Sequence, residues 1–260
     1  MSQGLAGWGA VVTGGGRGIG AACAGALAEA GARVLLAARS KDQVEAVADA
    51  LRAAGHDAHA TTCDVSAEGD VARLASVAAK LLGDVDILVN NAGIAPSAPV
   101  RSETLEQWER TLAVNATGTF LCTRAFLPAM AARGRGRVVN IASISSKVGA
   151  PYIASYAASK HAVLGFTRSV ALEVAAAGVT VNAICPGYVD TPMTDLALAR
   201  MGEKTGRSPE ELRQHLRSQS PQGRIITVEE VAFLALTLCD ERARGINGQA
   251  IVIDGGGVQG

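Results

Sequence analysis

Two residues of this chain have side chains that can move a proton and a spacing that brings them together. Tyr156 and Lys160 stand four apart in Tyr-Ala-Ala-Ser-Lys, and in a helix that spacing puts both on one face. A phenol near its usual pKa of about 10 is a poor base at neutral pH, and a fixed positive charge beside it stabilises the phenolate. Lowering that pKa by about three units takes roughly 4 kcal/mol, more than one exposed lysine supplies, so a second positive charge has to help. Ser143 and the run Asn90-Asn91-Ala92-Gly93 add hydroxyl and amide groups, each just past a strand-like stretch.

A different chemistry is written in Thr13-Gly14-Gly15-Gly16-Arg17-Gly18-Ile19-Gly20. Glycines allow a tight turn and close backbone approach, so a pyrophosphate can rest on free N–H groups and the positive end of a following helix. After the next apolar run comes Ala37-Ala38-Arg39-Ser40, where NAD sites commonly carry an acid that bonds the ribose 2'-hydroxyl. Arg39 and Arg17 would instead attract a 2'-phosphate, which favours NADP (NADPH) and leaves NAD as the alternative.

These groups need a frame. Strand patterns fall at 10–13, 33–38, 60–64, 87–90, 137–141, 179–184 and 250–253, with helical patterns at 21–30, 41–54, 68–82, 105–132, 155–177 and 228–239. This β-α rhythm predicts an α/β chain: one Rossmann domain over residues 1–260, a doubly wound parallel sheet of about seven strands with helices on both faces. Ligands in such sheets bind at the carboxyl ends of the strands, where the singled-out residues fall. The long polar stretch 191–223 interrupts the rhythm and is read as a substrate lid inserted in the domain.

Composition narrows the function. The 260 residues carry 24 basic and 24 acidic side chains with no basic block, which argues against nucleic acid or an anionic membrane as partner. Residues 1–12 lack a targeting signature and no run of 18 apolar residues occurs, so a soluble, cytoplasmic protein is expected. Aromatics are only 3% of a chain that is 48% hydrophobic, so the core must be built from Ala, Val, Leu and Ile. The five separated cysteines read as buried free thiols, and no His, Cys or acid cluster suggests a catalytic metal.

In order and approximate spacing, the Thr13–Gly20 glycine run, the Asn90–Gly93 run, Asn115, Ser143, Tyr156 with Lys160, and Pro186-Gly187 resemble the short-chain dehydrogenase/reductase family. The resemblance runs from about Leu5 to Gly256. It implies an NAD(P)-dependent oxidoreductase that transfers a hydride between a nicotinamide cofactor and a ketone or secondary alcohol. Tyr156 would be the general acid of reduction and base of oxidation, and Lys160 would lower its pKa and bond the nicotinamide ribose. Ser143 would bond the substrate oxygen, and Asn115 would hold a water linking Lys160 to solvent. The same resemblance puts Asp64 and Val65 beside adenine and Asn91, Ala92 and Gly93 beside the adenosine ribose. Gly14, Arg17, Gly18, Ile19, Gly20 and Arg39 complete the phosphate side, while Pro186, Gly187, Val189 and Thr191 flank the nicotinamide. Asn91 could equally brace the sheet, and Thr191 could cap the following helix.

Within the family the chain looks most like 3-oxoacyl thioester reductases (ketoreductases), which makes a small ketone, a CoA thioester or a carrier-protein thioester the expected substrate. A catabolic secondary alcohol or 3-hydroxyacyl-CoA dehydrogenase is the alternative. A nucleotide-binding regulator without chemistry is a third reading, opposed by the intact Asn115, Ser143, Tyr156 and Lys160. Ser145, Pro151, Tyr152, Tyr188 and Met193 are expected near the substrate. A homotetramer is implied by the resemblance, with helices around 105–132 and 155–177 forming an interface through small residues such as Ala154, Ala157, Ala158 and Ala162.

Overall fold

The computed structural model describes residues 4–259. Seven parallel strands form one sheet: β1 (Gly9–Thr13), β2 (Arg33–Ala38), β3 (Ala58–Thr62), β4 (Ile87–Asn90), β5 (Gly136–Ile141), β6 (Val179–Pro186) and β7 (Ala250–Ile253), in the order β3-β2-β1-β4-β5-β6-β7. The order reverses direction between β1 and β4, and a crevice opens there at the carboxyl ends.

Parallel strands bury both faces, so successive residues of one strand join opposite cores. Ala10 and Val12 of β1 pack with α1 (Gly18–Glu29), α2 (Lys41–Ala53) and α9 (Val228–Cys239). Val11 faces the other way, toward α3 (Glu68–Leu82), α5 (Gly118–Arg133) and α6 (Ala154–Val174). All five cysteines are buried and free. Among the described residues no helix is long and apolar enough to cross a membrane.

Three differences from the sequence reading bear on the site. The stretch 105–132 is not one helix: α4 (Leu105–Leu112) and α5 are joined by a wider π turn at Ala113–Thr117. The stretch 191–223, to which the sequence reading assigned no helix bounds, holds α7 (Pro192–Thr205) and α8 (Pro209–Gln219), which pack together through Leu198, Leu212 and Leu216. Finally, α1 begins at Gly18, three residues before its first good helix former, because the turn has already set the backbone of the glycines.

Glycine at position 20 is demanded by packing of α1 on the turn: a Cβ there would lie 2.3 Å from the Gly14 carbonyl oxygen and 2.5 Å from Asn91 Nδ2. Gly25 on the same helix has nothing within 4 Å of that point. Gly20→Ala is therefore expected to lower the urea unfolding free energy by about 2 kcal/mol or more, through overpacking. Gly25→Ala is expected to raise it by about 0.5–1 kcal/mol through helix propensity alone. Equal effects of the two substitutions would contradict this packing.

Candidate active site and dinucleotide groove

Asn91 begins the site by tying two strand ends together. Its Nδ2 donates to the carbonyls of Thr13 (3.0 Å) and Gly14 (3.1 Å), and its amide N–H donates to Thr13 Oγ1 at 3.0 Å. Thr13 Oγ1 also takes the amide of Ala92 at 3.2 Å and donates to the Val89 carbonyl at 3.3 Å. The bracing role left open for Asn91 is thus a structural fact, and the residue lines the crevice as well.

That crevice is a groove of about 560 Å³. Of the residues singled out for cofactor binding, Gly14, Arg17, Gly18, Ile19, Arg39, Asp64, Val65, Asn91, Ala92, Gly93 and Thr191 line it. Gly20 lies beneath, packed against Gly14. Pro186, the last residue of β6, and Gly187 after it lie outside the lining, and Val189 is buried in the core beside Ile226. Gly16, Ala38, Ser40, Gln43, Cys63, Ile94, Val114, Pro192 and Met193 line it too. Of these, the sequence reading had placed Met193 by the substrate and passed over Cys63, Gln43 and Val114. The one usable signal for them was position, since each lies within a turn of a strand or helix end.

The groove has the features an anionic dinucleotide requires. Arg17 at the N-cap of α1 makes no side-chain cap, and the first turn of the helix holds no acid. Positive φ at Gly14 (65°) and Gly18 (54°) bends the turn around that exposed N-terminus. Arg17 and Arg39 are both exposed and are engaged in no ion pair among the described residues. Thr191 Oγ1 accepts from the Thr194 amide at 3.3 Å and so caps α7 while also lining the groove.

Beside the groove, α6 presents Tyr156 and Lys160 from one face, with the Lys160 ammonium 5.8 Å from the centre of the phenol ring. Lys160 is buried, and its Nζ donates to the Ile141 carbonyl at the end of β5 at 2.7 Å. Burial pushes its pKa down to about 8, partly opposed by Cys185. Burial also raises the Tyr156 phenol, against a hydrogen bond with Ser143 that lowers it. Desolvation is the larger effect on the phenol, so lowering its pKa calls for a further positive charge.

Ser143 is held by its own turn: its Oγ accepts from the Ser145 amide at 3.1 Å, and Ser146 Oγ donates to its carbonyl. Ser146 in turn lies 3.4 Å from Cys185 Sγ. Ser145 is buried in that turn, whereas Tyr152, Tyr188 and Met193 are exposed. Tyr152 has a left-handed φ of 69° and its carbonyl takes the Ala98 amide, which pins the segment leading into α6; Pro151 beside it is exposed.

Asn115 sits on the π turn and its side chain is fully used. Its Oδ1 accepts from the Ile94 amide at 2.9 Å, while Nδ2 donates to the Ile94 carbonyl and to Ser159 Oγ, both at 2.9 Å. Ser159 Oγ donates onward to the Tyr156 carbonyl at 2.7 Å. The residue expected to hold a water also clamps the segment after β4 to the helix carrying Tyr156.

A Rossmann sheet, a glycine turn on a helix N-terminus and a Ser-Tyr-Lys group at adjacent strand ends define a dinucleotide-binding oxidoreductase domain. Comparison with known proteins refines this class. A family model described as short chain dehydrogenase matches residues 9–201. D-beta-hydroxybutyrate dehydrogenase of Rhizobium meliloti is 38% identical over 251 residues, covering 95% of this chain and 97% of that protein. A putative ketoacyl reductase of Streptomyces coelicolor is 38% identical over 249 residues, covering 95% of each chain. Cis-4-hydroxycyclohexanecarboxylate dehydrogenase of Sinomonas cyclohexanicum is 40% identical over 248 residues, also covering 95% of each. Among solved structures, a variant of actinorhodin polyketide ketoreductase crystallised with NADPH superposes with a TM-score of 0.94 at 37% identity over 99% of each chain. The chain belongs to the short-chain dehydrogenase family.

The buried ammonium has a measurable signature. Lys160 titrates near 8 in the folded chain and at about 10.4 when unfolded. The unfolded chain therefore holds the extra proton between those values, so the penalty is full below pH 8 and fades as pH rises toward 10.4. Wild type is expected to gain up to about 3 kcal/mol relative to Lys160→Met between pH 7.5 and 10.4. Parallel stability profiles from denaturant titrations across that range would remove the claim that the lysine is desolvated.

Proposed function

We propose that the protein is an NADPH-dependent reductase of a 3-oxoacyl thioester or related ketone. The observation that carries this reading is the conjunction of Tyr156 and Lys160 on one face of α6, the ammonium 5.8 Å from the centre of the phenol ring, with a neighbouring groove whose two arginines, in no ion pair among the described residues, suit a 2'-phosphate. NADPH, when bound, supplies the hydride. Ser143 then holds the substrate oxygen where negative charge develops, and Tyr156 gives that oxygen its proton. A phenol kept protonated by burial is suited to the acid role. Lys160 supplies the positive charge beneath it, and its bond to the Ile141 carbonyl aims the ammonium along the helix face. The Asn115 clamp keeps α6 in register with the groove. Of the residues expected to flank the nicotinamide, Thr191 lines the groove while Pro186, Gly187 and Val189 support that end from outside the lining, and Asp64 with Val65 serve the adenine end.

The relatives support the choice of reaction and also a second reading. A ketoacyl reductase and a hydroxybutyrate dehydrogenase are equally similar to this chain, at 38% identity each, so catabolic oxidation of a secondary alcohol or 3-hydroxyacyl-CoA is the rival direction. For the lid, the support is that Thr191, Pro192 and Met193 at the start of α7 line the groove, so that the α7–α8 pair could cover substrate with Tyr188 and Ser145 below. A homotetramer fits the exposed Leu105, Trp108 and Phe120 on α4 and α5. Sedimentation showing only monomer at micromolar concentration would remove the tetramer.

Three assays test the chemistry. Following NADPH and NADH absorbance separately against 3-oxoacyl thioesters and cyclic ketones is expected to show turnover preferring NADPH; turnover with NADH alone contradicts the reading of Arg17 and Arg39. Tyr156→Phe is expected to keep NADPH binding while losing roughly 10³-fold or more in kcat, and full activity in that variant would overturn the mechanism. Arg39→Asp should shift preference toward NADH by about tenfold or more, because an acid repels the 2'-phosphate and bonds a 2'-hydroxyl.

A further inference from the structure

Among the described residues that line the groove, Asp64 is the one acid. A carboxylate there works against a polyanionic ligand, since like charges in a partly desolvated cleft repel. It cannot be silenced by a proton. Burial opposes its ionisation, but hydrogen bonds from Ser66 and the Arg110 guanidinium hold its pKa down to about 2.

Its charge is met from another element. Arg110 on α4 donates from Nη2 to Asp64 Oδ2 at 3.0 Å and from Nη1 to Ser66 Oγ at 2.9 Å. Ser66 closes the ring by donating its hydroxyl (2.5 Å) and amide (3.0 Å) to Asp64 Oδ1. The neighbouring Asp70 is matched as well: its Oδ2 accepts the Asp64 amide at 3.0 Å and its Oδ1 pairs with Arg73.

The placement of Arg110 is specific. One turn further along the chain, Val114 lines the groove. At the far end of the π turn Gly118 approaches so closely that a Cβ would lie 2.7 Å from Val65 Cγ2. The segment carrying Arg110 therefore lies directly against Asp64, Val65 and Ser66. Arg110 itself is not part of the lining and reaches the groove only through the carboxylate.

We infer that Arg110 is a positioning residue for the cofactor: by cancelling the charge of Asp64, it leaves Arg17 and Arg39 to set the sign of the groove. This rests on the dinucleotide reading above. It differs from direct recognition, because Arg110 matters only while Asp64 is charged.

The test is a double-mutant cycle read by NADPH fluorescence titration of the full chain, without turnover. At low ionic strength Arg110→Gln is expected to weaken NADPH binding about fivefold or more, and less at 0.5 M salt, as for a partly exposed charge. In an Asp64→Asn background the same substitution should change affinity by less than about twofold. An equal loss in both backgrounds, or no loss in the wild-type background, overturns the inference. Should Arg110→Gln not fold, Arg110→Lys replaces it: a kept charge predicts affinity within about threefold of wild type, and a larger loss overturns the inference. Wild type that fails to bind NADPH at all would sink the dinucleotide reading instead, so the two failures are distinguishable.

Discussion

Where β1 and β4 part, Thr13 and Asn91 hold four backbone groups in one place: the Asn91 amide side chain satisfies the Thr13 and Gly14 carbonyls, and the Thr13 hydroxyl satisfies the Asn91 and Ala92 amides. Parallel strands that diverge leave such groups without sheet partners, and unpaired they would cost of the order of 1–3 kcal/mol each. The groove exists because this brace replaces the lost ladder while keeping the strand ends apart. The glycine turn then has a fixed floor, α1 can approach as closely as Gly20 permits, and the positive end of that helix faces open space. Remove the brace and neither the phosphate side nor the segment 91–94 that Asn115 clamps has a defined position.

The proton-transfer group depends on the opposite strategy, burial of charge. Lys160 sits with its ammonium against the Ile141 carbonyl in a pocket that lowers its own pKa, and the same low dielectric raises that of Tyr156. Stability at neutral pH is sacrificed for a site in which charge interactions are strong. A dinucleotide carrying a positive ring would shift this balance far more than the same charge could in water. In the proposed reaction the tyrosine would be poised by what binds beside it rather than by the lysine alone.

Much of this was legible in the sequence, for identifiable reasons. Strands such as Arg33–Ala38 and Ala250–Ile253 are apolar runs bounded by turn residues, and both ends fall where the pattern puts them. The π turn at Ala113–Thr117 was not legible, because a single widened turn changes no hydrophobic period and Ala-Val-Asn-Ala-Thr has no breaker. The helices of 192–219 left signals that polarity masked: Thr191-Pro192 and Ser208-Pro209 with Glu211 are N-terminal caps, the second a full capping box. At the site, Asn115 could be found by its place in the series but its use could not. A sequence shows that an amide is present; only the fold shows that Ile94 and Ser159 consume it.

Charge at the two ends of the sheet separates binding from bracing. At the amino ends of the strands, Arg133 and Arg135 converge on the buried carboxylate of Asp86, which also takes the Gly9 amide. Arg137 is buried with Glu241 nearby, and Trp8 lies against both Arg135 and Arg137. That cluster is richer in arginine than the groove, yet each guanidinium is committed to an acid, a carbonyl or a ring. At the carboxyl ends Arg17 and Arg39 have no such commitments among the described residues, and the only acid among the described lining residues is tied to Arg110. What marks the ligand side is thus not the number of charges but their lack of partners, since an arginine already neutralised has little left to offer an incoming phosphate.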